Sequence, residues 1–331
     1  MKQILLIVII LIVCKTGFAQ SLNSDSVLIK HANSIEISTN DFSKLLPLIT
    51  APGKNDEEKL ILVYYWVYNH IDFDTERFLK TGSLQPMNIT ETLKSGKGMC
   101  YEYNDFVDAT CKYLKLTGYK IEGYVKFYGF TPGETFTDNN HIWYAVSIDG
   151  NWKMIDLLWA CGTLSTKDNN FVFKKKLHKE YFMVNPEKFF DTHLPADPVF
   201  QFNANPLNIS GFISKKEGAD TTQRYSYINY ADSINVMNKL DVRDRNVRSA
   251  VRAYAFNPEN PNQLIVIYYN NAVELVNNSK ATKAQLLKAK NYFIQSKSLI
   301  PKSKDANIKT LESVCEQGII SIDSRLKYIK S

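Results

Sequence analysis

The spacing of apolar positions changes several times along the chain, and each change marks an element. Behind Met1-Lys2, Ile4 to Val13 is an unbroken apolar run, followed by Gly17-Phe18-Ala19 with small residues at −3 and −1 of a cut before Gln20. A run this short does not span a bilayer and fits a secretory signal peptide over residues 1–19. Cys14 would suit a lipoprotein anchor, but Val13 before it is not small. Cleavage near Ala19 is the favoured reading, and the mature protein is expected to be exported, either periplasmic or secreted. Residues 20–55 read as a lead-in segment with one short helix and breaks at Pro47 and Pro52.

From Asp56 the run "KLILVYYWVYNHI" is too long and too evenly apolar for a strand, and the acids before it suit a helix N-terminus; it reads as a buried helix. A second helix runs from Cys100 to about Leu116, with Tyr103, Phe106, Val107, Thr110 and Leu114 on one stripe and Gly118 as its stop signal. The period then drops to two. "YKIEGYVKFYGF", "HIWYAVSI" and "NWKMIDLLW" read as strands, the last two joined by the hairpin signal Asp149-Gly150. Helices followed by an antiparallel sheet make an α+β arrangement.

Residues 171–205 are less regular, and beyond Pro206 a strand pair is expected to give way to helices. Leu286, Ala289, Phe293 and Ile300 form one helical stripe, and Ile308, Leu311, Cys315, Ile319, Ile322 and Leu326 form another. The expected domains are 56–205, α+β, and 206–331, mostly α-helical.

Charge supports this division. Residues 20–205 carry 19 Lys/Arg against 23 Asp/Glu, whereas residues 206–331 carry 19 against 11. The basic C-terminal module is a candidate for contact with anionic cell-envelope polymers; nothing points to nucleic acid. Cys100, Cys111, Cys161 and Cys315 remain after cleavage, too few for a disulfide scaffold. There is no C-x-x-C pair, and His and Cys never cluster at ligand spacing, so no metal site and no cofactor are expected. Cys100 and Cys111 lie about 16 Å apart along one helix, too far to bond.

Cys100, in "GKGMCYEYNDF", sits just past two glycines where a helix begins. A helix N-terminus favours a thiolate, the form that attacks, and a base and an orienting group must then come from elsewhere. The histidines are His31, His70, His141, His178 and His193. If Asp149-Gly150 is a two-residue loop, Ile148 pairs with Asn151 and Trp143 faces Asp156. His141 and Asp156 are then diagonal neighbours on one sheet face, about 7–8 Å apart between backbones. An odd loop length would move Asp156 to the other face. Read from the residues alone, Cys100 is equally a core cysteine or a nucleophile, and His193 reads as structural.

The motifs "KGMCYEYNDF", "HIWYAVSIDGNWKMIDLLWACG", the upstream "VYYWVYNHIDFD" and the trailing "YFMVNPEKFFDTHLPADPVFQ" together resemble the transglutaminase-like superfamily. The match is to the branch that includes kyphoscoliosis peptidase and a fungal cytokinesis protein, over about residues 56–201. The resemblance implies a papain-like core, with Cys100 as nucleophile, His141 as general base and Asp156 as orienter of the imidazole. It implies thioester acyl transfer on a peptide bond or glutamine amide of a protein or peptide substrate, giving peptidase, deamidase or cross-linking activity. The other reading is a catalytically idle domain that binds envelope proteins. Tyr101, Glu102, Trp143 and Trp159 are expected at the substrate cleft. Glu102 and Asn104 depart from the family, whose members are usually smaller there.

Overall fold

A computed structural model describes residues 26–80, 86–127, 129–167 and 170–328; the leader, Cys14 and the cleavage site near Ala19 lie outside these. The fold is α+β. Residues 26–34 are helical (α1). The next helix, α2 (Phe42–Thr50), runs through Pro47 instead of breaking there. Pro47 forfeits only the bond to the carbonyl of Ser43, in the first turn, while Phe42, Leu45, Leu46 and Ile49 are buried. In α3 (Asp56–His70), Asn55 caps the Glu58 N–H and every residue from Leu62 to Val67 is buried. The helix is covered on all sides, as its even apolarity requires.

The chain then forms β1 (Asp72–Phe73), α4 (Thr75–Leu79), α5 (Ile89–Ser95), β2 (Lys97–Gly98) and α6 (Cys100–Leu114), with β1 and β2 paired in parallel. Helix α6 ends at Lys115, which takes the left-handed conformation at φ 59°. Gly118 is therefore not its stop. It opens β3 (Gly118–Val125), where a Cβ would lie 2.4 Å from the ring of Tyr144.

Strands β4 (His141–Ile148) and β5 (Asn151–Ile155) form the expected hairpin, with Ile148 opposite Asn151. Asp149 and Gly150 have φ of 50° and 77°, the left-handed pair that a two-residue turn needs. The second strand is shorter than expected. It stops at Ile155, and "LLWAC" is the helix α7 (Leu157–Cys161), not a continuation of the strand. A hairpin of β6 (Gly162–Lys167) and β7 (Asn170–Lys175), then β8 (Phe182–Val184), α8 (Pro186–Phe189) and β9 (His193–Pro195), complete this stretch. In the first unit β5 pairs antiparallel with β4 and β8, and in the second β3 pairs antiparallel with β9.

By packing the chain divides into two units. The first runs to Lys120 and again from Ile142 to Val184; the second holds Ile121–His141 and everything from Asn185 onward. This differs from a single cut after residue 205. The physical reason is a core in which Tyr124, Phe190, Leu194 and Ala196 pack with Leu207, Phe212, Ala253 and Phe256. The first unit has its own core, built on α2, α3 and α6.

Beyond Pro206 the expected strand pair is a single bridge, Leu207 to Arg224. Helices α9 (Ile209–Ile213), α10 (Tyr230–Asn238), α11 (Val242–Phe256), α12 (Asn262–Asn277), α13 (Lys283–Leu299) and α14 (Ala306–Leu326) follow. Leu286, Ala289, Phe293, Ile300, Cys315 and Ile322 are buried in one cluster, as the two stripes require.

One carboxylate in the second unit sits in an unusual place. Glu122 on β3 accepts from the amides of Asn139 (3.2 Å) and Gln263 (2.9 Å). Its side chain keeps some surface, but the carboxyl is packed round by protein, and this burial pushes its pKa above the ordinary range. The raised pKa means the fold favours the protonated form. The ionisation penalty is absent below the unfolded value of about 4.3 and sets in as pH rises through the folded one. Gln263 Oε1 is buried without a hydrogen-bond partner among the described residues. Glu122→Gln removes the ionisation and offers that oxygen a donor. In urea denaturation the variant is expected to match wild type near pH 4 and to be about 1 kcal/mol or more stabler at pH 8. An equal gap at both pH values would show that the carboxyl titrates in the fold as it does in the unfolded chain.

Candidate active site

Cys100 is the first residue of α6, and intrahelical bonding begins with the Tyr103 N–H to the Met99 carbonyl (3.1 Å). The N–H groups of Cys100 and Tyr101 therefore lie before the first helical bond, at the positive end of the helix dipole. Cys100 is partly exposed, and Cys111, Cys161 and Cys315 are buried; all four are free thiols. Burial pushes the Cys111 thiol up to about 12 and raises those of Cys161 and Cys315 as well. Among the four, Cys100 alone combines exposure with a helix N-terminus.

Two side chains fix the turn that carries it. Glu102 is buried, and its carboxylate accepts from the N–H of Met99 (2.6 Å), the N–H of Met87 (2.7 Å) and Nη2 of Arg77 (3.2 Å). Asn104, one helical turn after Cys100, donates from Nδ2 to the carbonyls of Cys100 (2.8 Å) and Ile142 (2.9 Å). Ile142 follows His141 directly in β4.

Asp156 is fully buried and leaves the β5 ladder. Its N–H goes to the Tyr181 carbonyl, and its Oδ1 accepts the Trp159 N–H at 3.0 Å, capping α7. His141 and His193 are buried near one another in the second unit, and Asp156 is buried in the first.

His193 is a neighbour of His141 that sequence reading missed. It is paired through β9 with Val125 of β3, its Nδ1 lies 2.8 Å from the Thr192 hydroxyl, and its ring centroid lies 5.8 Å from that of His141. Its only signal in the sequence is its place in the trailing "HLPAD" motif. Phe127 packs edge-on against His141 from another side. Of the residues expected at a cleft, Tyr101 is 41 % exposed, and Trp159 is partly exposed with its ring against Tyr181. Trp143 and Glu102 are both buried, so neither forms an open cleft wall. Trp143 lies in a strand covered along nearly its whole length, and Glu102 is turned inward to its three donors.

Comparison with known proteins bears on the same region. The family model of the transglutaminase-like superfamily matches residues 43–157, beginning earlier than residue 56 and so taking in nearly all of α2. The chain is similar to kyphoscoliosis peptidase of Mus musculus, 27% identical over 172 residues, 51% of this chain and 25% of that protein. It is similar to a LIM and transglutaminase domain protein of Caenorhabditis elegans, 26% identical over 184 residues, 52% of this chain and 24% of that protein. Cytokinesis protein 3 of Schizosaccharomyces pombe is 26% identical over 163 residues, 46% of this chain and 17% of that protein. The chain spans about a quarter or less of the length of these relatives. With the matched helices and hairpin in the α+β arrangement described, the chain carries a domain of the transglutaminase-like superfamily.

Proposed function

We propose that the protein is an exported cysteine enzyme that acts on peptide-bond or glutamine amides through a thioester. Cys100 is the nucleophile, His141 the general base and Asp156 the group that orients the imidazole. The observation that carries this reading is Cys100, the one partly exposed thiol of the four described, at the first residue of a helix within the matched region.

In the reaction, His141 takes the thiol proton as sulfur bonds to the amide carbon. The N–H groups at the open end of α6 suit the resulting oxyanion. The C–N bond then breaks, and His141 passes its proton to the leaving amine or ammonia. Water attacking the thioester returns an acid and the free thiol, which is proteolysis or deamidation. An amine attacking it gives a new amide, which is cross-linking.

The test is iodoacetamide labelling at pH 6, followed by mass mapping. Cys100 is expected to label while the three buried thiols do not, and His141→Ala is expected to remove that labelling. Equal labelling in the variant would sink the triad and leave an idle, protein-binding domain. Incubation with a peptide library, with and without a primary amine, then separates cleavage, deamidation and amine adducts. Export is tested by N-terminal sequencing of protein recovered outside the cytoplasm, with Gln20 as the expected first residue.

A further inference from the structure

We propose that Asn104 is a positioning residue that clamps the turn carrying Cys100 to the strand carrying His141. The proposal rests on the reading that these two residues form the nucleophile and its base. In the β4–β5 hairpin, Ile148 pairs with Asn151, Val146 with Lys153 and Tyr144 with Ile155. The next rung of that series would set Ile142 opposite Leu157. That rung does not exist, because Asp156 turns the chain into α7 and Leu157 is already helical. The turn into α7 at Asp156 therefore ends the ladder one rung short, at the residue after His141.

Asn104 fills the gap. Its Nδ2 donates to the Ile142 carbonyl and, with its other hydrogen, to the Cys100 carbonyl one turn back in α6. One planar amide thus joins the first residue of α6 to the second residue of β4. A flipped amide would set oxygen against two carbonyl oxygens, so the orientation is fixed. The opposite oxygen, Oδ1, is buried and accepts no hydrogen bond from the described residues. A residue present only to fill space carries no such unpaired acceptor, since an apolar side chain packs without one. The side chain is held for its donor end.

Two variants of the full chain test this, read as the rate of Cys100 alkylation by iodoacetamide at pH 6 and at pH 9. Asn104→Asp keeps the volume and loses the donor. Asn104→Ser carries no charge and reaches only its own helix carbonyl. At pH 9 a thiol reacts without help, whereas at pH 6 it needs its imidazolium partner. Both variants are expected to lose about tenfold or more of the pH 6 rate while staying within about twofold at pH 9. An unchanged ratio of the two rates with a lowered Tm would reduce Asn104 to packing, and a loss in the Asp variant alone would assign the effect to charge. Either result overturns the proposal. Failure of the triad reading shows separately, as a ratio that His141→Ala leaves unchanged.

Discussion

Asp197→Ala is expected to lower the stability of the full chain by about 3 kcal/mol, seen as a fall in Tm of roughly 5–10 °C. Asp197 is 3 % exposed, and its carboxylate is fully engaged. It accepts from Arg252 through Nε (2.9 Å) and Nη2 (2.6 Å), from the Ser249 hydroxyl (2.8 Å) and from the Val199 N–H (3.1 Å). Arg252 and Ser249 are on α11, so this one side chain ties the segment after β9 to that helix. Removing the carboxylate leaves a guanidinium facing the protein, and a broken ion pair in such a place costs more than the pair contributed. Arg252 is 27 % exposed and can regain some water, which puts the effect at the lower end of the 3–5 kcal/mol range for buried pairs. Arg252→Ala strands the more deeply buried partner and is expected to cost at least as much. The double variant should cost clearly less than the sum of the two. Strict additivity in urea denaturation would mean that the pair does not couple.

Arg252 also shows why a charge count goes only part of the way. It contributes to the basic sum of residues 206–331, yet it is spent inward on Asp197. Lys288, Lys290, Lys297 and Lys304 are likewise paired, with Asp244, Asp323, Glu316 and Glu259. The helices of this region were legible because their stripes depend on local spacing alone; Leu286 to Ile300 and Ile308 to Leu326 needed no knowledge of partners. The β4–β5 hairpin was legible for a similar reason. Asp149-Gly150 accepts the two left-handed residues of the turn, and the turn length then sets the register.

The end of β5 was not legible. "IDLLWAC" is apolar on every period, and only Asp156, as a cap, distinguishes a helix from a longer strand. Gly118 misled because a glycine after a helix reads as its stop. Its absent side chain instead makes room for Tyr144, a residue whose position the sequence does not disclose. His193 was the largest loss at the candidate site. Its three-residue strand has no periodicity to read, and its place beside His141 depends on β9 joining β3 across some seventy residues of chain.

Glu102→Ala is expected to be the most damaging change near the candidate nucleophile, destabilising the chain by about 3–5 kcal/mol. The resemblance read from the sequence makes Glu102 a departure, but the structure gives it three donors to satisfy. Oε2 takes the N–H of Met99, the residue before Cys100, as the reciprocal half of a capping box; Oε1 takes the N–H of Met87 and Nη2 of Arg77. Alanine leaves two backbone N–H groups in a half-buried place and takes from Arg77 its nearer carboxylate. Asp74, at 4.0 Å from Nε, remains and limits the loss. Glu102→Gln separates charge from hydrogen bonding. A glutamine keeps one acceptor, but its amide must point two hydrogens at Met99 or at Met87 and Arg77, all of them donors. The glutamine variant is therefore expected to lose about half as much as alanine in urea denaturation. A glutamine variant as stable as wild type would show that the carboxylate's second oxygen is not needed. Frayed by either change, the first turn of α6 no longer holds the Cys100 N–H in place, so labelling of Cys100 at pH 6 should fall together with stability. An unchanged labelling rate in a destabilised variant would separate the cap from the chemistry.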